Sequence, residues 1–276
     1  MKLPAITLVA ESYRTVFHRP WRLIMAMIPP LLFIVAIDVA LLPWRDLPVW
    51  VGAVSPVVDI IPYLFFGLIW FRLLLGGPYD GTLPWPLFGP RSLAFFAIAL
   101  LLYLLFSLPA AVVAVPLLVA LLEGLRTGAH SLLSPFFLAH ILLPICLLAW
   151  GYLLGRFSLL LPAAAIDDAL SWRSAWRASS GNGLRLIGAY LLAILPIILL
   201  LAVVAIFALA HNHWGGSGAR SGRGREFVFL QSAAIELAIS VLRLSMVALL
   251  ATIAAEAYRR LPGGMAAQNQ VRLRSE

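Results

Sequence analysis

Charge is what this chain has least of. Of its 276 residues, 12% are Asp, Glu, Lys or Arg, about half the roughly 25% usual in a soluble domain. Lysine is almost missing, Lys2 standing alone beside nineteen arginines. A single cysteine, Cys146, excludes an internal disulfide and any cysteine-based metal site. Inside an apolar run, it reads as a small core residue. No G-x-S-x-G, H-E-x-x-H or Walker pattern occurs. The usual grounds for a hydrolase, a metalloprotease or a nucleotidase are therefore gone. No catalytic residue, metal or cofactor is expected.

Apolar residues fill the space that charge leaves. They make up 62% of the chain, with a mean hydropathy of +0.98. A soluble fold of this length cannot hide that much apolar surface, so lipid must solvate much of it. The net charge of +8 would suggest nucleic acid in a soluble protein. Here the basic residues flank apolar runs, where they orient helices and meet anionic lipid headgroups, and no nucleic-acid partner is expected. The first twenty residues do not read as a cleaved signal, because the first apolar run begins near Leu23 with no small-x-small site after it.

Six runs reach the roughly 20 residues a bilayer crossing needs: 23–42, 56–75, 92–122, 135–161, 184–210 and 229–257. Prolines sit in or near most of them, including Pro29, Pro30, Pro62, Pro109, Pro116, Pro144 and Pro196. Such prolines bend packed helices, or break them around a transport site. Counted on alternate sides of these spans, Lys and Arg number fourteen against five, which puts both termini in the cytoplasm. The expected fold is all-α, a single integral membrane domain over 1–276. It comprises an N-terminal amphipathic helix (1–20), four spans (23–161), an in-plane helix (167–180), two spans (184–257) and a cytoplasmic tail (258–276).

Two polar stretches interrupt the apolar pattern. In IDDALSWRSAWRASSGNGLRLIGAY (166–190), helical spacing puts Ala169, Trp172, Trp176 and Ser179 on one stripe and Arg173 and Arg177 on an adjoining face. Asp167 or Asp168 can cap the start, and Gly181 or Asn182 the end. Trp172, Arg173, Trp176 and Arg177 thus suit a helix in the cytoplasmic interface, with rings among headgroups and guanidinium groups on phosphates. The alternative is a loop helix packed on protein. In the N-terminal segment, Ile6, Val9, Tyr13 and Val16 form the apolar stripe, and Thr7, Glu11, Arg14 and His18 the polar one. A shift of 163 residues lays Tyr13-Arg14 on Trp176-Arg177, Arg22-Leu23-Ile24 on Arg185-Leu186-Ile187, and Ala26 on Ala189. AEAYRRL (255–261) echoes AESYR (10–14).

Glycines crowd the loop 211–226, where His211, His213 and Glu226 are a weak metal-ligand set. A solvated connector is the expectation there. Arg243 stands in the last span, where an unpaired arginine costs about 2.5–3.5 kcal/mol on insertion scales. It should face the bundle, with Glu236 two turns earlier on the same face and Ser240 between them as a relay. Asp38 and Asp59 lie at similar depth, so Asp38, Asp59, Glu236 and Arg243 are expected to form one intramembrane polar cluster.

The series Arg156-Phe157-Ser158, Leu161-Pro162-Ala163, Ala175-Trp176-Arg177, Gly181-Asn182 and Arg185 resembles a signature of uncharacterised multi-pass bacterial inner-membrane proteins. It is also similar to the membrane domain fused to some glycerophosphodiester phosphodiesterases. The resemblance covers 156–187 and implies a multi-pass membrane domain, with no established activity. The expected role is non-catalytic: envelope or membrane maintenance, or partnership with other membrane proteins or further copies of the chain. A transporter or channel for a lipid or small solute is the alternative.

Overall fold

The computed structural model describes residues 3–18, 20–41, 49–75, 90–107, 116, 119, 135–166, 171–215 and 222–261. Nearly all of these are helical, and no strand occurs among them. The helices are α1 (Ala5–His18), α2 (Pro20–Leu41), α3 (Val49–Leu75), α4 (Pro90–Leu102), α5 (Pro135–Phe157), α6 (Leu160–Ala165), α7 (Trp172–Ala178), α8 (Gly183–Gly215) and α9 (Gly222–Arg260). A π-helical turn, Tyr103–Ser107, continues α4.

A helix satisfies its own backbone groups where no water can, so it is the element that suits so apolar a chain. Four helical stretches are long and apolar enough to cross a membrane: Pro20–Ile37, Pro144–Ala165, Gly183–Val204 and Ala234–Arg260. Two more of the six expected runs appear as the shorter apolar helices Ile60–Leu75 and Ser92–Leu105. On α8, Leu191, Leu192, Leu195, Ile198, Leu199, Leu200, Val203 and Ile206 are all exposed. So much uncovered apolar surface on one helix is compatible with a hydrocarbon solvent. The stretch 211–226 is shorter as a connector than its glycines suggest. Helix α8 runs on to Gly215 and α9 starts at Gly222, since each long apolar helix propagates beyond its greasy part.

Contacts group the chain into two compact units. One comprises Met1–Ala5, Trp85–Gly188 and Ala254–Glu276; the other comprises Ile6–Pro84 and Ala189–Ile253. In the first, α4 packs on α6, and α5 packs on α7 and on the π-helical turn. Gly151 and Gly155 of α5 form a G-x-x-x-G seam facing Ile187 of α8, and Cβ atoms added to them would stand 3.7 and 3.4 Å from it. Small residues at that spacing let helix backbones approach closely.

In the second unit, α2 packs along α3, with the Phe33 and Phe65 rings edge-on at 6.2 Å. Trp70 donates its indole N–H to Thr252 Oγ1 at 2.9 Å, and Thr252 donates in turn to the Ala248 carbonyl at 2.7 Å. Both side chains are buried. Thr252→Val keeps the shape but strands the indole N–H. A stability loss of about 1–3 kcal/mol is expected, measured by chemical unfolding in detergent micelles, and a loss below a few tenths would show that the bond contributes nothing.

The N-terminal helix is amphipathic along a different line from the one its sequence suggests. Leu8, Ser12 and Val16 are buried, while Ile6 is 78% exposed. The buried line Leu8, Ser12 and Val16 thus shares only Val16 with the stripe Ile6, Val9, Tyr13 and Val16. Tyr13 lies at the flank and donates its hydroxyl to the Ala193 carbonyl at 2.7 Å, in the turn where Pro196 supplies no N–H. Burial pushes the Tyr13 phenol above its ordinary pKa, in the direction that favours the protonated, donating form.

The 163-residue correspondence has a structural counterpart. Both copies read helix, break, long helix: α1 to α2, and α7 to α8. Leu23 and Leu186 are both buried, as are Ala26 and Ala189, whereas Ile24 is exposed and Ile187 buried.

Candidate functional site

Two polar constellations stand out, one in each unit. The first is built on Arg156, at the end of α5. Ser158 bonds back to the Gly155 carbonyl at 2.8 Å, and the chain turns at Ser158-Leu159 before α6. Helix α7 is capped by Ser171, whose hydroxyl accepts from the Ser174 N–H at 3.2 Å. The expected caps Asp167 and Asp168 lie outside the described residues, and α7 begins at Trp172 rather than 167. Gly181 closes the turn after α7 with φ +74°, a backbone state open to glycine and costly for most side chains.

Around Arg156 these segments converge. Only 6% exposed, its guanidinium donates from Nε to Ser179 Oγ (3.1 Å), from Nη1 to the Tyr152 hydroxyl (3.1 Å) and from Nη2 to the Trp176 carbonyl (2.6 Å). Its carbon centre lies 3.4 Å from the Trp176 ring centroid. Every one of these partners is neutral. A buried cation held by dipoles and a π face, with no carboxylate among the described residues bonded to it, ties α5 to the α7 segment. Next to it, Asn182 Oδ1 accepts from the Leu3 N–H at 2.8 Å, and Arg185 donates to the Leu3 carbonyl at 3.2 Å.

Helix α7 itself divides its faces. Ala175 and Ser179 are fully buried, and Arg173 and Arg177 are exposed. Trp172 and Trp176 sit between, their rings 5.0 and 5.6 Å from that of Phe157, with Trp176 still 38% exposed. The tryptophans therefore pack on protein with one edge and leave another uncovered.

The second constellation is a half-open cleft of about 110 Å³ in the other unit. It is lined by Ile34 and Ile37 of α2, Pro62 and Tyr63 of α3, and Glu236, Ser240 and Arg243 of α9. Positions 236, 240 and 243 follow the i, i+4, i+7 spacing that shares one helix face. Two of the four expected cluster members, Glu236 and Arg243, thus meet on one cleft. Asp38 and Asp59 lie in α2 and α3, but their side chains are outside the described residues.

Arg243 and Glu236 are exposed, and among the described residues neither forms an ion pair. Seven residues put their Cα atoms about 10.5 Å apart along the axis, too far for the two ends to close on each other without bending both side chains across Ser240. Tyr63 is a site residue the charge pattern overlooked. The available signal was its position one turn after Asp59 on α3.

Ser240 is the most telling member. It is 7% exposed, and its hydroxyl has no hydrogen bond among the described residues. Ser12, Ser245 and Thr252, also in apolar helices, all bond back to the carbonyl four residues earlier. A buried hydroxyl normally finds a partner; this one faces the cleft instead. No protein-family model, characterised protein or solved structure matches this chain.

Proposed function

We propose that the chain is a six-span, non-catalytic integral protein of a bacterial inner membrane, with both termini in the cytoplasm, that binds a small polar solute or a lipid headgroup in the Glu236–Arg243 cleft. The observation that carries this is the cleft itself: Tyr63, Glu236, Ser240 and Arg243 line it, and none is bonded to protein among the described residues. Polar and ionisable groups at membrane depth are expensive, and they are kept where they meet a ligand, an ion or water. Binding therefore takes precedence over a plain scaffolding role. The six spans are supported by the four long apolar helices and the two shorter ones, the orientation by the Lys and Arg asymmetry. On the same reading α7 lies at the cytoplasmic surface, its exposed Arg173 and Arg177 meeting anionic headgroups.

Cys146, the sole cysteine, makes thiol labelling straightforward. In a Cys146→Ala background, Ser240→Cys should react with a membrane-impermeant methanethiosulfonate reagent applied to the outside of spheroplasts. An unreactive thiol would mean a dry bundle and would remove the binding role. In the same background, Arg173→Cys and Arg177→Cys should react only from the cytoplasmic side, and labelling from outside would invert the topology.

A further inference from the structure

Opposite charges, Glu236 and Arg243, line the cleft two turns apart on one face of α9, with Ser240 between them in the helix and Tyr63 of α3 on the same lining. A ligand with one charge answers only one of the two. A zwitterion answers both, and it removes the penalty of two unpaired ions at the edge of a low-dielectric slab.

The order of the charges along α9 narrows the class. Arg243 precedes Arg260 by seventeen positions in the same helix, about 25 Å at ~1.5 Å per residue. The hydrocarbon core is about 30 Å thick. If Arg259 and Arg260 mark one boundary, Arg243 lies roughly 5 Å inside the opposite one, and Glu236 lies roughly 6 Å beyond it. A phospholipid in that opposite leaflet carries its phosphate next to the glycerol, on the acyl side. An amine on the headgroup lies further out, two carbons away in ethanolamine. Phosphate toward Arg243 and ammonium toward Glu236 is the order the helix presents. Guanidinium on phosphate and carboxylate on ammonium are both charge-assisted pairings. The Ser240 and Tyr63 hydroxyls add neutral donors for the phosphate oxygens, and Ile34 and Ile37 give the cleft an apolar wall.

Resting on the binding role assigned to this cleft, we propose that its ligand is the headgroup of an aminophospholipid, with an aminoethyl phosphate as the recognised unit. Full-length protein in detergent, offered an equimolar mixture of phosphatidylethanolamine, phosphatidylcholine and phosphatidylglycerol, should retain the ethanolamine lipid over the glycerol lipid by about tenfold in native mass spectrometry. Glu236→Gln should bring that ratio close to one. Arg243→Gln should lower retention of all three lipids by about tenfold. Neither side chain has a protein partner among the described residues, so the thermal midpoints should stay at the wild-type value. Equal retention of phosphatidylglycerol by the wild type, or a preference that survives Glu236→Gln, overturns the proposal. Binding of free O-phosphoethanolamine without binding of the lipid overturns the assignment to a membrane ligand. A reactive Ser240→Cys with no lipid preference defeats this inference and leaves the binding role standing; an unreactive one defeats both.

Discussion

Replacing Arg156 by Met should lower the stability of the detergent-solubilised protein by about 3 kcal/mol. The change removes three hydrogen bonds from a guanidinium, each worth about 1.5–3 kcal/mol when one group is charged, and a stacked cation–π contact of about 2 kcal/mol when desolvated. Relief from burying a charge offsets much of that sum, and Met fills most of the volume. Two of the acceptors soften the loss, because Ser179 Oγ and the Trp176 carbonyl also bond each other at 3.1 Å. The Tyr152 hydroxyl is left with no such alternative. Arg156→Lys should recover less than half of the deficit, since one ammonium cannot reach three divergent acceptors while lying flat on an indole. Equilibrium unfolding in mixed micelles measures both variants. A Met variant within about 0.5 kcal/mol of wild type, the range of ordinary surface substitutions, would reduce the Arg156 contacts to ornament.

A comparably large effect is expected where there is no side chain at all. A Cβ at Gly183 would lie 2.6 Å from Tyr152 Cε2 and 3.3 Å from Arg156 Cγ. The Tyr152 ring cannot swing aside, for its hydroxyl is held by Arg156 and its edge meets Trp176 at 6.4 Å. Gly183→Ala should therefore cost about 1–3 kcal/mol, the usual range for overpacking, and Gly183→Val more. Five residues on, Gly188 has nothing within 4 Å of an added Cβ. Gly188→Ala should be neutral or stabilising by about 0.5–1 kcal/mol through helix propensity. The same unfolding assay decides the contrast: two variants of similar stability would mean that the close approach at Gly183 is not tight.

These two sites mark where sequence patterns stopped being informative. Long apolar runs declare themselves because hydrocarbon selects on composition over some twenty residues, an average that single side chains hardly disturb. Arg156 was visible as one basic residue at the end of a run. Its role depends on Tyr152 one turn back and on Trp176 and Ser179 beyond a turn, a convergence that only tertiary packing creates. The cap of α7 went to Ser171 rather than to the aspartates upstream because the helix starts later than its amphipathic stripe suggests. Ile6 matched an apolar periodicity yet lies uncovered, since lipid, protein and interface all accept an isoleucine. Glu236, Ser240 and Arg243 were legible as one face of one helix. Tyr63 and the apolar wall across from them come from α2 and α3, far away in the chain, and no local period reports that meeting.

Leu3 carries a consequence of another sort. Its N–H and carbonyl are taken by Asn182 and Arg185, groups made 179 and 182 positions later. At about 5–20 residues per second, a ribosome needs on the order of ten to forty seconds to supply them. Through that interval the segment around Leu3 has been synthesised and these two partners have not. The segment around Leu3 is thus a late closure in biogenesis, joined only when the start of α8 has emerged. A fusion placed ahead of Leu3 would be felt at that step rather than during insertion of the first helices.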